Sequence, residues 1–168
     1  MLETDQELDE LQALLDRSAA AAGPHMSDIL TEDRRLTAAD LCRRLQGMCL
    51  LALATTTADG RPLTGAVDGY LLHGSFYFST GRNAVRARHL AARPAVSATY
   101  LPDEHLAVSV HGRAEIFDVQ GDEAAELRQA MLDHYLPKQG PAFQEWLDTS
   151  DGVAVRIVAE KLFTLAAD

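Results

Sequence analysis

The dipeptide Asp59-Gly60 lies between two runs of strand-forming residues and dictates how they meet. Before it, Cys49-Leu-Leu-Ala-Leu-Ala-Thr-Thr-Thr57 is apolar and grades into β-branched residues, as a buried strand does. After it, Pro62-Leu-Thr-Gly-Ala-Val-Asp-Gly-Tyr70 reads as the returning strand. Asp-Gly supplies the left-handed backbone that a tight reversal needs, so the pairing is antiparallel. A second reversal at His73-Gly74 leads into Ser75-Phe-Tyr-Phe-Ser-Thr80, which makes three consecutive strands in a meander.

The rest of the chain continues in the same style. Thr37-Ala-Ala-Asp40 resembles a capping box, and the apolar stripe of Leu41 and Leu45 behind it ends at Gly47. A helix is predicted from about Ala84 to Ala92, capped by Asn83 and halted by Arg93-Pro94. Ala95–Tyr100 and Leu106–Phe117 read as strands, the longer one bulged or bent at Gly112. Asp122 starts a helix carrying Leu127, Met131 and Tyr135, expected to end before Pro137. A short helix over Ala142–Leu147, with Phe143 and Trp146 facing the core, precedes a last strand over Val153–Leu165. The fold class is mainly β (α+β): a closed or nearly closed six-stranded antiparallel barrel with peripheral helices. No Gly-x-Gly-x-x-Gly, Walker loop or nucleophile elbow occurs, which argues against Rossmann, P-loop and α/β-hydrolase folds.

Charge divides the chain into two segments. Of its 168 residues, the first 33 hold nine acids and one base, Arg17; the remainder holds 16 acids and 14 bases. Residues 1–35 read as an acidic helical arm and linker, and residues 36–168 as the barrel domain. Leu8, Leu11 and Leu15 share one face of the arm, which leaves two readings: a solvated tail, or a segment that docks on a partner subunit. The barrel is expected to fold without residues 1–33. With net charge −10 there is no basic surplus to displace counterions from a polyanion, so no nucleic acid is expected as a partner. No apolar run approaches the ~20 residues of a membrane span. The acidic start is unlike a signal or transit peptide, so no membrane association and a cytoplasmic location are expected. Cys42 and Cys49 sit among apolar neighbours and read as buried hydrophobes, and no metal-ligand spacing appears.

Chemistry concentrates in Phe76-Tyr-Phe-Ser-Thr-Gly-Arg-Asn-Ala-Val-Arg-Ala-Arg-His-Leu-Ala-Ala-Arg-Pro94. A strand ends in two hydroxyls, Ser79 and Thr80, and a short loop carrying Arg82 opens a helix with Arg86 in its first turn. A first-turn cation opposes the helix dipole unless an anion sits there. Hydroxyls, open amides and an arginine fork together describe a site for a phosphate monoester, with a surface helix of solvated arginines as the alternative.

The order of the strand, Asp59-Gly-Arg-Pro62, Phe76-Tyr-Phe-Ser-Thr80, Arg86-Ala-Arg-His-Leu90, Arg93-Pro-Ala-Val-Ser97 and Gly112-Arg-Ala-Glu-Ile116 resembles the pyridoxamine 5′-phosphate oxidase-like superfamily over roughly residues 37–168. That superfamily includes FMN enzymes and deazaflavin (coenzyme F420) reductases, and some relatives bind haem. The resemblance implies a split-barrel homodimer with cofactor sites at the subunit interface, and a flavin-dependent oxidoreductase of a small-molecule substrate. FMN is the first expectation. Coenzyme F420, and a non-catalytic flavin- or haem-binding protein, are the alternatives, with His111 the histidine to watch for haem. By the same resemblance Ser79 and Thr80 contact the phosphate, and Arg86 stands where a lysine usually does. Arg82 and Arg88 are secondary contacts, Gly65, Ala66, Val67 and Asp68 run beside the isoalloxazine, and Phe163 reaches the partner's flavin. No catalytic side chain is assigned, because the cofactor carries the hydride chemistry. Three departures argue against oxidation of pyridoxine phosphates: Gly65 replaces an arginine, Ala107 replaces a glutamine, and the sequence stops at Asp168, short of the oxidase's substrate-binding arginine motif.

Overall fold

A computed structural model describes residues 2–167; Met1 and Asp168, the outer limits of the two segments above, lie outside the described residues. The chain forms a closed antiparallel barrel in the order β1-β2-β3-β6-β5-β4, with six α-helices among the described residues. The strands are β1 (Met48–Thr56), β2 (Pro62–Leu72), β3 (Ser75–Gly81), β4 (Ala95–Tyr100), β5 (Leu106–Asp118) and β6 (Gly152–Ala166). The helices are α1 (Asp5–Ala20), α2 (Pro24–Ile29), α3 (Ala38–Arg44), α4 (Val85–Ala92), α5 (Ala125–Gln139) and α6 (Pro141–Thr149).

Both predicted reversals form. Gly60 takes φ +84° at the end of the turn that joins β1 to β2. His73 and Gly74 both have positive φ, which gives the two-residue turn whose twist suits a hairpin. At Gly112 the β5–β6 register slips by one residue. A Cβ there would meet the Val158 carbonyl oxygen at 2.1 Å, so only glycine fits this bulge.

Alternation along the strands sorts two cores. Leu51, Leu53, Val67, Leu71, Phe76, Phe78, Val110 and Ile157 fill the barrel. Tyr70 and Leu72 point outward and join Leu127, Met131, Phe143 and Leu147 in a second cluster beneath α5 and α6. α5 runs through Pro137, where the sequence predicted its end, and stops at Gly140 with φ +68°. Pro137 falls in the last turn, where the hydrogen bond it forfeits is a single one and the helix has little length left to lose.

The arm belongs to the first core. Leu11, Leu14 and Leu15 of α1 are buried against the barrel of their own chain, which is neither of the two placements read from the sequence. The reason is an open strand edge. β6 pairs with β3 only from Gly152 to Ile157, and beyond that its backbone has no strand on this side. Ser18 Oγ accepts from the Leu162 N–H (3.0 Å) while donating to the Leu14 carbonyl (2.7 Å). The Leu36 N–H donates to Thr164 Oγ1 (2.9 Å), so helix and linker together stop the edge from templating another strand. His73 adds a polar clasp, with Nδ1 2.9 Å from Glu7 of α1 and Nε2 2.7 Å from Glu126 of α5.

Ser18 is only 2% exposed, so Ser18→Ala leaves a buried N–H without an acceptor. The expected loss is about 1–3 kcal/mol of unfolding free energy, measured by urea titration. The clasp predicts a pH dependence. The hydrogen bond to Glu7, followed by the charges of Glu126 and Glu7, raises the His73 pKa above 6.5. Its contribution is therefore complete below pH 6.5 and lost as pH rises through the raised value. Glu7 is lowered from 4.5, first by the Thr4 N–H and then by His73, so its contribution disappears only as pH falls through that lowered value. Thermal melts of wild type and His73→Asn, a residue that tolerates positive φ, should differ most near pH 6 and converge toward pH 9. A constant gap across that range would mean that the imidazole charge does not matter.

Candidate functional site

β2 and β3 pair only from Leu72↔Ser75 to Gly69↔Phe78 and then part. Leu72 and Ser75 close the two-residue turn, so even-numbered residues of β2 aim their N–H and C=O groups toward β3. Beyond the parting, Asp68 and Ala66 keep that orientation while β1 continues to pair with the other edge of β2. Arg86, from the first turn of α4, crosses the gap and donates from Nη1 to the Ala66 carbonyl at 2.9 Å. Gly65 makes room for it, since a Cβ there would lie 3.3 Å from the Arg86 guanidinium.

Of the arginines around this segment, Arg86 alone turns to the split. Arg82 is held by Asp151 (2.6 Å) and Asp118 (2.7 Å), which pin the loop after β3 to the ends of β5 and β6. Arg88 folds back onto the Asn83 carbonyl at 2.6 Å. Asn83, predicted to cap α4, stands one residue outside it, and the N-cap is Ala84, with no side-chain hydrogen bond. A turn closed by the Ala84 N–H on the Gly81 carbonyl (2.9 Å) moves the helix start along by one residue.

On the other side of the split lies a cavity of about 710 Å³ between the barrel wall and the α5–α6 pair. Asp68, Ser79, Thr80 and Gly81 form its strand side; Met131, Tyr135, Phe143 and Trp146 form its helix side. Ser79 donates to the Met131 sulfur (3.6 Å), and the Tyr135 hydroxyl donates to Asp68 Oδ2. Burial, then the hydrogen bond to Asp68 and its charge, push the Tyr135 pKa up to about 12, so the phenol stays a donor. Phe143 stacks on Tyr135 with centroids 4.7 Å apart, and Trp146 lies 5.4 Å from Phe143. Both were predicted to face the core, but only Phe143 does, at 7% exposure against 55% for Trp146. Phe143 and Leu147 carry the buried stripe of α6, and Trp146 falls on its flank at the cavity mouth.

Gly65 and Arg86 line one crevice of about 170 Å³, with Ala66 bound to Arg86 at its edge, whereas Asp68, Ser79 and Thr80 line the larger cavity. Val67 lies inside the barrel with its backbone turned to β1. Phe163 lines a separate crevice beside α1, its ring 6.2 Å from that of His111. Burial pushes the Cys42 thiol up to about 12 and Cys49 up to about 11, so both remain protonated. Sequence reasoning missed the α5–α6 wall. Its only trace was the stripe Leu127–Met131–Tyr135, whose last member is the one with a polar tip.

Residues 42–165 match the family model described as pyridoxamine 5′-phosphate oxidase. The chain belongs to that family. No curated protein matches it. Among solved structures, the conserved hypothetical protein Rv2991 of Mycobacterium tuberculosis superposes with a TM-score of 0.65 at 24% identity, over 81% of this chain and 88% of that one. The haem storage protein HutZ of Vibrio cholerae gives 0.62 at 19%, over 79% and 95%. An F420 reductase gives 0.54 at 24%, over 70% and 91%. These neighbours share the barrel. Within the pyridoxamine 5′-phosphate oxidase family, this member carries its cation on α4 against Gly65, and an aromatic, carboxylate-bearing cavity alongside. It also has a bare sheet face. Ala66, Ala52, Thr99 and Ser109 lie side by side across β2, β1, β4 and β5, with Ala54 opposite Ser97; Ala52 and Ala66 are exposed and the other short side chains partly so. No helix among the described residues is long and apolar enough to cross a membrane.

Proposed function

We propose that this protein is an FMN-dependent oxidoreductase of a small molecule, with the cofactor seated in the β2–β3 split. The observation that carries the reading is the split itself: a free strand edge with Arg86 on one of its carbonyls, and beside it a cavity whose strand side carries the Ser79 and Thr80 hydroxyls. These residues fit a phosphorylated flavin. The Arg86 fork and the Ser79 and Thr80 hydroxyls suit a phosphate monoester. The backbone groups of Ala66 and Asp68 that face the gap suit the donor–acceptor edge of the ring. A bound flavin supplies hydride acceptance and return. The protein orients the ring along β2, and the α5–α6 wall excludes water from its face.

The bare face of β2, β1, β4 and β5 supports a homodimer. It adjoins the split through Ala66, and by the family resemblance Phe163 of a second copy would reach that region. Light scattering should report a dimer at micromolar concentration, and a monomer there would count against this arrangement.

The decisive experiment compares FMN with riboflavin, which lacks the phosphate. Arg86→Ala should weaken FMN binding roughly ten- to a hundredfold, the equivalent of about 1.5–3 kcal/mol, and leave riboflavin nearly unchanged. Equal losses for both would place Arg86 in support of the β2 edge rather than on the phosphate. The absorption spectrum of protein from its native host separates flavin from deazaflavin and from haem.

A further inference from the structure

We infer that Asp68, positioned by Tyr135, lowers the reduction potential of a flavin bound in this site, weighting it toward the oxidised ring and against the reduced one. This deepens the proposed function and rests on that reading, which gives the ring a place beside Asp68 on β2. Two electrons and one proton added to a flavin leave one negative charge on its ring. A fixed carboxylate alongside therefore disfavours the reduced form.

Asp68 can act in this way because it has no counter-charge. Its hydrogen-bond partner is a neutral phenol, the Tyr135 hydroxyl, which donates to Oδ2. Among the described residues, no lysine, arginine or histidine lines the cavity that Asp68 shares. The neighbouring cations are engaged elsewhere: Arg82 bridges Asp151 and Asp118, and Arg86 donates to the Ala66 carbonyl. Asp151, the other carboxylate of the cavity, is paired with Arg82 and adds little.

The carboxylate is also held in place. Phe143 packs on the Tyr135 ring with centroids 4.7 Å apart, which fixes the phenol that orients Asp68. Two phenols register the resulting field. Burial first, then Asp68, raises the Tyr135 pKa; burial first, then Tyr135 and Asp68, raises that of buried Tyr70, two residues along β2. A flavin ring beside Asp68 meets the same field. Lowering the potential makes the reduced ring the better hydride donor.

The full-length protein, loaded with FMN, is titrated anaerobically at pH 8 by spectroelectrochemistry. Asp68→Asn keeps an acceptor for Tyr135 and removes only the charge. It should raise the midpoint potential by the equivalent of roughly a tenfold gain in relative affinity for the reduced form, about 30 mV for a two-electron couple. Tyr135→Phe keeps the charge and loses the donor that dilutes it, so its potential should stay at or below that of wild type. A potential unchanged in Asp68→Asn overturns the inference. So does an equal rise in both variants, which would mean that the pair only supports the α5–α6 wall. Failure of wild type to bind oxidised FMN would instead remove the proposed function, and this inference with it.

Discussion

β3 has seven residues and stands between a strand of eleven and a strand of fifteen. A strand so short cannot satisfy both neighbours along their whole length. It pairs with β2 through its first four residues and with β6 through its last six, so each neighbour is left with a free edge, at opposite ends of β3. Unpaired backbone groups need partners wherever they are shielded from water. The two ends solve this differently. Along β6, α1 and its linker seal the edge with Ser18 and through Thr164. Along β2, one arginine takes one carbonyl and the remaining edge stays open toward a cavity. The N-terminal helix and the candidate site are therefore two consequences of one length mismatch.

What the sequence made legible was local. The alternation of Ala95–Tyr100 sets its burial with no outside help, and this strand was bounded to the residue. The turns at Gly60 and at His73-Gly74, and the bulge at Gly112, are written in residues that few others could replace. The misreadings share the opposite origin. The leucines of α1 looked the same whether destined for solvent, for a partner or for β6. Only the open β6 edge decides among these, and it lies more than a hundred residues away in sequence. Asn83 is a good cap in isolation, but the Gly81–Ala84 turn starts the helix one residue later. The site was half legible for the same reason: the strand residues and Arg86 are close in sequence, whereas Tyr135 reaches Asp68 across 67 positions.

Arginine content alone was a poor guide to the anion site. Arg82, Arg86 and Arg88 fall within seven residues, yet their surroundings send them to different tasks. Arg82 meets two carboxylates because the ends of β5 and β6 bring Asp118 and Asp151 beside the loop. Those exposed pairs contribute little energy singly but fix the loop's path. Arg88 satisfies a carbonyl of the loop from which its own helix starts. Among the described residues Arg86 meets no carboxylate, and its neutral acceptor leaves its charge uncompensated. A cation near open helix amides, without a counter-ion, is the arrangement in which an anion costs least desolvation and gains most.

The two ends of the split then carry opposite signs. Ala66, which holds Arg86, and Asp68, which holds Tyr135, are two residues apart on one strand, roughly 6.6 Å at strand rise. Opposite charges held at neighbouring positions of one strand, one of them beside the α5–α6 wall, produce a steeper field than the same charges on an open surface. On the proposed reading, such a field would draw the anionic end of a ligand to Arg86 and a donor-bearing ring toward Asp68.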